Sequence, residues 1–354
     1  MASFRVAIDG DLIAPDGSLA FPDFDISALK APGVEYAFLK KQREIDSGDV
    51  ADCDALVLFG TRFTEASIPV GDRFALVARA GVGYDNVAVD ACRRAGIAVT
   101  ITPKAVRRPV AVSILTLLFA LTSRLIVKDR LGRSGPGGWA EKTRHTGVAL
   151  TGRTLGSIGF GNIAREMFRL AKPLDMQFIA ADPYADAGEA AKLGVTLVDL
   201  PTVFRRSDVL TVNCSLNDQT RGLVGTDLLA LMKPTAYFIN TARGPIVDQR
   251  ALTAALVEQR IAGAGLDVLE REPPDAADPI LELDNVIITP HALCWTDELF
   301  RGLGADAVAA TLDVMRGHVP GALVDRAVLD VSGFRTKLAR NLARFGQAAE
   351  AAQP

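Results

Sequence analysis

LGSIGFGNIAREM, residues 155–167, is the stretch that decides the fold. It runs from a short apolar segment through two glycines into helix-forming sequence, in the pattern Gly159-x-Gly161-x-x-Ala164. The first glycine permits a tight turn, the second lets backbone approach a pyrophosphate, and Ala164 still allows close helix–strand packing. A helix starting near Asn162 would aim its N-terminal amides at a phosphate. A glycine pair at a βα turn is weak evidence alone. It gains meaning from a strand before it, a helix after it and an acid about 20 residues on. Here the next strand-like run, Gln177–Ala181, ends at Asp182. A carboxylate there accepts hydrogen bonds from ribose hydroxyls and repels a 2′-phosphate, so NAD is expected in preference to NADP.

Working outward, apolar β-rich runs alternate with helical patterns on both sides of this turn. Phe4–Ile8, Ala55–Phe59, Phe74–Arg79 and Ile97–Ile101 read as a first series of strands. Leu155–Phe160, Gln177–Ala181, Val209–Asn213, Ala236–Asn240, Ala264–Val268 and Val286–Thr289 read as a second. Such alternation predicts parallel sheets covered by helices, an α/β class. Between the series, Pro109 suits the first position of a long helix reaching about Leu125, and residues 132–138, GRSGPGG, read as a flexible loop. After Ser332, Phe334, Leu338, Leu342 and Phe345 recur at helical spacing among Arg335, Lys337, Arg340 and Arg344, which predicts a terminal helix docked on its own domain or frayed in solvent.

Composition narrows the function classes. A chain of 354 residues exceeds what one core usually supports and suggests two domains. With 49% apolar and 23% charged residues and a net charge of −3, nothing points to a nucleic-acid or anionic-membrane partner. The longest apolar run, Val110–Leu121, is shorter than the ~20 residues a membrane span needs. The N-terminus lacks a signal-peptide pattern. The four cysteines are scattered without a CxxC pair, so no metal site is expected and a reducing cytoplasm is the simplest setting.

Three ionisable residues fall at strand ends of the second series: Arg243 in NTARGPIVD, Glu272 in GLDVLEREPP and His291 in VIITPH. Each alone has a bland reading: a helix-end cation, a solvated loop acid, a hydrogen-bonded core histidine. Together they suit one chemistry, hydride transfer between nicotinamide and a 2-oxo acid. Histidine supplies or removes the proton near neutral pH. A carboxylate on the imidazole fixes its tautomer. A guanidinium binds the substrate carboxylate.

These residues, with RAGVGYDNV (79–87), TGRTLGSIGFGNIA (151–164), MKPTAYFINTARGPIVD (232–248) and NVIITPH (285–291), resemble the D-isomer-specific 2-hydroxyacid dehydrogenases, over about residues 6–329. The family includes D-3-phosphoglycerate dehydrogenases and glyoxylate/hydroxypyruvate reductases. The resemblance implies two Rossmann-like doubly wound parallel-sheet domains with a cleft between them. One is a flavodoxin-like substrate domain (1–102 and 292–331). The other is an NAD-binding Rossmann domain (103–291), and a helical tail (332–354) follows. It places Arg243, Glu272 and His291 on the catalytic triad. Cofactor contacts would come from Gly159, Gly161, Asn162, Ile163, Asp182, Asn213, Thr241, Ala242 and Asp267, with Asp267 near the nicotinamide amide. Amides around Gly81, Val82 and Gly83 would bind the substrate carboxylate. The chain would form a cytoplasmic homodimer acting on a D-2-hydroxy acid or its 2-oxo partner.

The chain departs from the family's pattern in places. Asn213-Cys214-Ser215 stands where His-x-Pro is common. Leu293, Cys294 and Trp295 stand where small residues usually follow the histidine, which makes Trp295 a candidate substrate-wall residue. Arg107 and Arg108 stand just before a helix N-terminus, where either Arg107 or Arg108 would bind a second anionic group on the substrate or a cofactor phosphate, or both are solvated surface arginines. Two other readings share the fold: an NAD-sensing, corepressor-like regulator, and a formate- or phosphite-type dehydrogenase.

Overall fold

The computed structural model describes residues 3–350, with side chains to residue 346. The chain divides into two compact units, Met1–Val106 with Trp295–Pro354, and Arg107–Cys294. The crossings fall inside the helix Pro103–Thr122 and between Cys294 and Trp295. The C-terminal helix belongs to the first unit.

The first unit holds a parallel sheet of β1 (Phe4–Ile8), β2 (Val34–Phe38), β3 (Ala55–Leu58), β4 (Leu76–Arg79) and β5 (Ala98–Thr100), in the order β2-β1-β3-β4-β5. This is the flavodoxin-like order, with its switch point between β1 and β3. β3 and β4 are buried throughout or nearly so, because helices cover both faces of such a sheet. The sequence pattern missed β2, whose residues are alternately exposed and half-buried, as befits an edge. The helix Ser332–Glu350 docks on this unit through buried Phe334, Leu338 and Phe345. The Phe345 ring meets Phe4 edge-on at 5.7 Å. Lys337 is not solvated, as the helical pattern implied. It is buried and donates to the carbonyls of Ala95 and Gly96, at 2.8 and 3.0 Å.

The second unit holds seven parallel strands: β6 (Thr154–Ile158), β7 (Gln177–Ala181), β8 (Val195–Leu197), β9 (Val209–Val212), β10 (Tyr237–Asn240), β11 (Gly263–Leu266) and β12 (Val286–Ile288). Their order, β12-β11-β10-β9-β6-β7-β8, is the dinucleotide-binding arrangement extended by one strand, with its switch point between β6 and β9. β12 is the added strand, and β8, which the sequence reading did not find, is a three-residue edge strand. Ile158, Val212, Phe238, Leu252 and Leu266 anchor the core.

Two local expectations are corrected. The long helix begins at Pro103, not Pro109. Pro103 takes the first position, where a missing amide hydrogen costs nothing, and Pro109 sits inside the helix at the loss of one backbone bond. Residues 132–138 are not a loop: helices Leu125–Arg133 and Gly135–Glu141 abut there. Gly135, at φ +66°, makes the break, and Pro136 suits the restart. The helix Pro103–Thr122 is long and apolar enough to cross a membrane by length and composition. Most of it is buried in protein, and Leu117 and Leu121 lie directly over Gly265 of β11.

Candidate active site

The site begins at the β6 turn. Gly159 has φ +94°, and a Cβ there would lie 2.8 Å from the Cys214 amide nitrogen, so both the backbone angle and the packing require glycine. Gly161 differs. A Cβ on it would meet open space. It caps the helix Asn162–Ala171, and no side chain satisfies the amides at that end. Asp182, just past β7, accepts from the Phe160 amide on Oδ2 (2.8 Å) and the Tyr184 amide on Oδ1 (2.9 Å). A carboxylate offers about four acceptor positions, so about two remain for hydroxyls. An uncapped helix N-terminus, open space at Gly161 and a part-used carboxylate at the neighbouring strand end fit a dinucleotide: pyrophosphate at the first, ribose at the last. Ala164 is fully buried, Asn162 is exposed and Ile163 half-buried at the helix start. Asn213 turns its amide inward, donating to Ser157 Oγ (2.9 Å) and Thr211 Oγ1 (2.8 Å).

Arg243, Glu272 and His291 follow β10, β11 and β12, three adjacent strands, so sheet order alone collects them at one carboxyl edge. His291 Nδ1 lies 2.8 Å from Glu272 Oε2, and Glu272 Oε1 accepts from the Leu269 amide at 3.0 Å. The carboxylate is therefore held at both oxygens. Burial would raise the Glu272 carboxyl. The His291 bond and charge, the Leu269 amide and the Arg243 charge outweigh it and hold Glu272 below the ordinary glutamate range. Arg243 donates to the Ala242 carbonyl at 2.8 Å. Its loop is fixed by Asn240, which accepts from the Ala242 amide and donates to the Arg243 carbonyl, both at 3.0 Å. Gly244 presses against the Leu269 carbonyl so closely that no side chain fits. Thr241 is half-buried beside them.

His291 has φ +55°, a left-handed conformation uncommon outside glycine. Asp267 explains how it is held. This buried carboxylate, at the end of β11, accepts on Oδ1 from Thr289 Oγ1 (2.6 Å) and from the amides of Ala292 (3.0 Å) and Leu293 (3.1 Å). Asp267 thus clamps the histidine loop from both sides, a role that sequence reading missed. An aspartate directly after a strand, one strand from the histidine, was the available signal. Cys294 is no activated thiol: burial and the Asp267 charge push it up to about 11.

Other candidates lie elsewhere. Gly81, Val82 and Gly83 belong to the first unit. There Gly81 has φ +136° and its amide donates to Thr102 Oγ1 at 2.7 Å, so it shapes the turn. The Arg79 guanidinium lies over it and donates to the Ala80 carbonyl. Trp295 also belongs to the first unit. The premise for Arg107 and Arg108 is corrected. With the helix starting at Pro103, they lie in its second turn, and Arg108 pairs with the buried Glu166 (3.1 Å), which also holds Arg169 (2.7 Å).

A model of the D-isomer specific 2-hydroxyacid dehydrogenase NAD-binding domain matches residues 115–292. A glyoxylate reductase of Korarchaeum cryptofilum is 38% identical over 285 residues, 80% of this chain and 86% of that protein. A D-3-phosphoglycerate dehydrogenase of Methanocaldococcus jannaschii is 36% identical over 278 residues, 78% of this chain. The match spans about half, 52%, of that relative's length. Among solved structures, a glyoxylate reductase from Paecilomyes thermophila has a TM-score of 0.78 at 27% identity, covering 92% of this chain and 99% of that one. The chain belongs to the D-isomer specific 2-hydroxyacid dehydrogenase family of NAD-dependent oxidoreductases.

Proposed function

We propose that this chain interconverts a D-2-hydroxy acid and its 2-oxo acid with NAD as the redox partner. The observation that carries the reading is the Glu272–His291 pair at 2.8 Å, with the second carboxylate oxygen fixed by the Leu269 amide. Because Nδ1 is engaged by Glu272, Nε2 is the nitrogen left to face substrate. When bound, the reduced nicotinamide supplies the hydride that reduces the carbonyl carbon. His291 Nε2 gives its proton to the carbonyl oxygen, and Glu272 stabilises the imidazolium before that transfer. In the oxidising direction Nε2 takes the hydroxyl proton. Arg243, whose charge reaches both Glu272 and Cys294, binds the substrate carboxylate. The amides of Val82 and Gly83 assist it.

Asp182 carries the preference for NAD, since its carboxylate would face a 2′-phosphate. Asp267 orients the histidine loop and leaves its second oxygen for the nicotinamide amide. The proposed assembly is a cytoplasmic homodimer. Four exposed apolar side chains on the helices between residues 103 and 141, Phe119, Leu125, Ile126 and Trp139, support it.

The test is NADH oxidation against a panel of 2-oxo acids, with formate and phosphite assayed by NAD reduction. Turnover of an oxo acid that His291→Ala abolishes supports the reading. NADH binding without turnover of any compound sinks it in favour of a sensor. Turnover of formate or phosphite alone sinks it in favour of that chemistry.

A further inference from the structure

A chain of buried hydrogen bonds runs beneath the glycine turn of the seven-stranded unit. Ser157 on β6 and Thr211 on β9 are fully buried, and Asn213 directly follows β9. β6 pairs with β9 in the register Ser157↔Thr211, so the two hydroxyls stand side by side on one face of the sheet. Asn213, two residues on from Thr211, points to that same face.

The direction of each bond follows from the groups involved. The Asn213 amide nitrogen carries two hydrogens and donates only. One goes to Ser157 Oγ (2.9 Å) and one to Thr211 Oγ1 (2.8 Å). Each hydroxyl, already accepting, turns its single hydrogen elsewhere. Ser157 donates to the Gly159 carbonyl at 2.6 Å, and Thr211 to the Gly156 carbonyl at 3.1 Å, with Met167 Sδ at 3.7 Å. Turned over, the Asn213 side chain would take both hydroxyl hydrogens on Oδ1 and leave the two carbonyls without these donors, which burial disfavours.

The two branches end in different places. Gly156 lies inside β6, where the ladders to β7 and β9 already fix the backbone. Gly159 is the positive-φ residue of the turn. Its carbonyl accepts from Ser157, while the amide of the same peptide group, on Phe160, donates to Asp182 Oδ2 at 2.8 Å. The Gly159–Phe160 peptide plane is therefore pinned at both ends. It leads directly to the amides at the start of the helix Asn162–Ala171, which no side chain caps and which would meet a pyrophosphate. Ser157, Thr211 and Asn213 are all uncharged, so they act on a diphosphate through the shape of the turn.

We infer that Ser157, oriented by Asn213, is a positioning residue for the cofactor's pyrophosphate, and that it acts by fixing the Gly159–Phe160 peptide. This rests on the proposed use of NAD and adds residues that serve it from beneath the turn. The test is a competition titration of NADH, ADP-ribose and adenosine with the unaltered protein, Ser157→Ala and Thr211→Val. Ser157→Ala should raise the Kd for NADH and for ADP-ribose by about fivefold or more, and that for adenosine, which lacks the pyrophosphate, by less than about twofold. Thr211→Val removes a buried hydroxyl whose bond ends inside β6, so Tm should fall about as far as in Ser157→Ala while the Kd for ADP-ribose stays within about twofold. An unchanged Kd for ADP-ribose in Ser157→Ala overturns the inference. So does a Ser157→Ala variant that weakens adenosine as much as ADP-ribose, or a Thr211→Val variant that weakens ADP-ribose equally. Each of these leaves the dehydrogenase reading standing, since turnover of an oxo acid decides that separately. An unaltered protein that binds neither NADH nor ADP-ribose overturns both. Should Ser157→Ala fail to fold, Ser157→Cys, whose thiol donates only weakly, is judged by the same criteria.

Discussion

At the carboxyl edge of the seven-stranded sheet, the loops after three adjacent strands carry an arginine, a glutamate and a histidine, and a buried aspartate clamps the histidine loop. At the same edge of the five-stranded sheet, the buried Asp9 clamps a loop through the Phe59 amide, and the rings of Phe21, Phe59, Trp295 and Phe300 gather around it. The scaffolding device is shared: a carboxylate at a strand end accepts several amides and fixes the next loop. What the device presents differs. One unit presents an arginine, a glutamate and a histidine; the other presents aromatic rings. Under the proposed function, proton transfer and anion binding fall to the first, and the second holds none of those three side chains.

Removing the histidine is the strongest challenge to that division. His291→Ala should lower kcat by about 10²–10⁴-fold, the range a general acid contributes, with NADH affinity retained. Equal loss of NADH binding in a titration would mean that the seven-stranded edge does not separate catalysis from cofactor binding. Glu272→Gln is the milder form. It keeps a hydrogen-bond acceptor for Nδ1 but removes the charge paired with the imidazole, so kcat/KM for reduction should fall by about tenfold or more. In the unaltered protein Glu272 sits below the ordinary glutamate range, so its carboxylate and the pairing energy persist above that range and are lost only as pH falls through the depressed value. A kcat/KM profile for Glu272→Gln that overlays the original would remove Glu272 from the mechanism.

Asp182 tests the cofactor side. Asp182→Ser should improve kcat/KM for NADPH relative to NADH by about tenfold or more, since it removes a charge that repels the 2′-phosphate. The glycine pair gives a finer contrast. Gly159→Ala forces a side chain into a left-handed conformation against Asn213 and Cys214 and should lower Tm by several degrees, at a cost of about 1–3 kcal/mol. Gly161→Ala meets open space, so its Tm should hold while the Kd for NADH rises about tenfold. The reverse pattern in thermal melts and titrations would mean that the turn is not used for binding.

The two edges were unequally legible in the sequence, for a physical reason. Each of Arg243, Glu272 and His291 lies in the loop after its own strand, so local pattern plus strand-end logic locates them, and sheet order does the rest. The glycine turn and Asp182 are likewise a short-range motif. The aromatic cluster joins residues from opposite ends of the chain, and no local period marks Phe21 or Phe59. Only the stretch after His291 hinted at it. The misread helix start had the opposite cause. Pro103 and Pro109 both carry the same local signal, and only tertiary packing chooses between them. The edge strands β2 and β8 escaped because each carries exposed residues along its short length and writes little apolar pattern.

The smallest expected effect concerns the five-stranded unit alone. Lys337 is buried between the terminal helix and the end of the helix Val89–Arg94. Burial and the neighbouring Arg340 charge depress its ammonium to about 8, against opposing pulls from Asp72 and Cys92. Its folded value lies below the unfolded 10.5, so between about 8 and 10.5 the unfolded chain binds more protons than the folded one. Stability from this group therefore rises with pH across that window, and below about 8 the penalty of burying the charge is present in full. Lys337→Met should flatten the rise, which amounts to on the order of 5 °C in Tm. Melting curves at pH 7.5 and 9.5 for both proteins check this. Equal slopes would mean that the two carbonyls bonded to the ammonium outweigh its burial, and that the terminal helix is anchored by a charge with no net desolvation penalty.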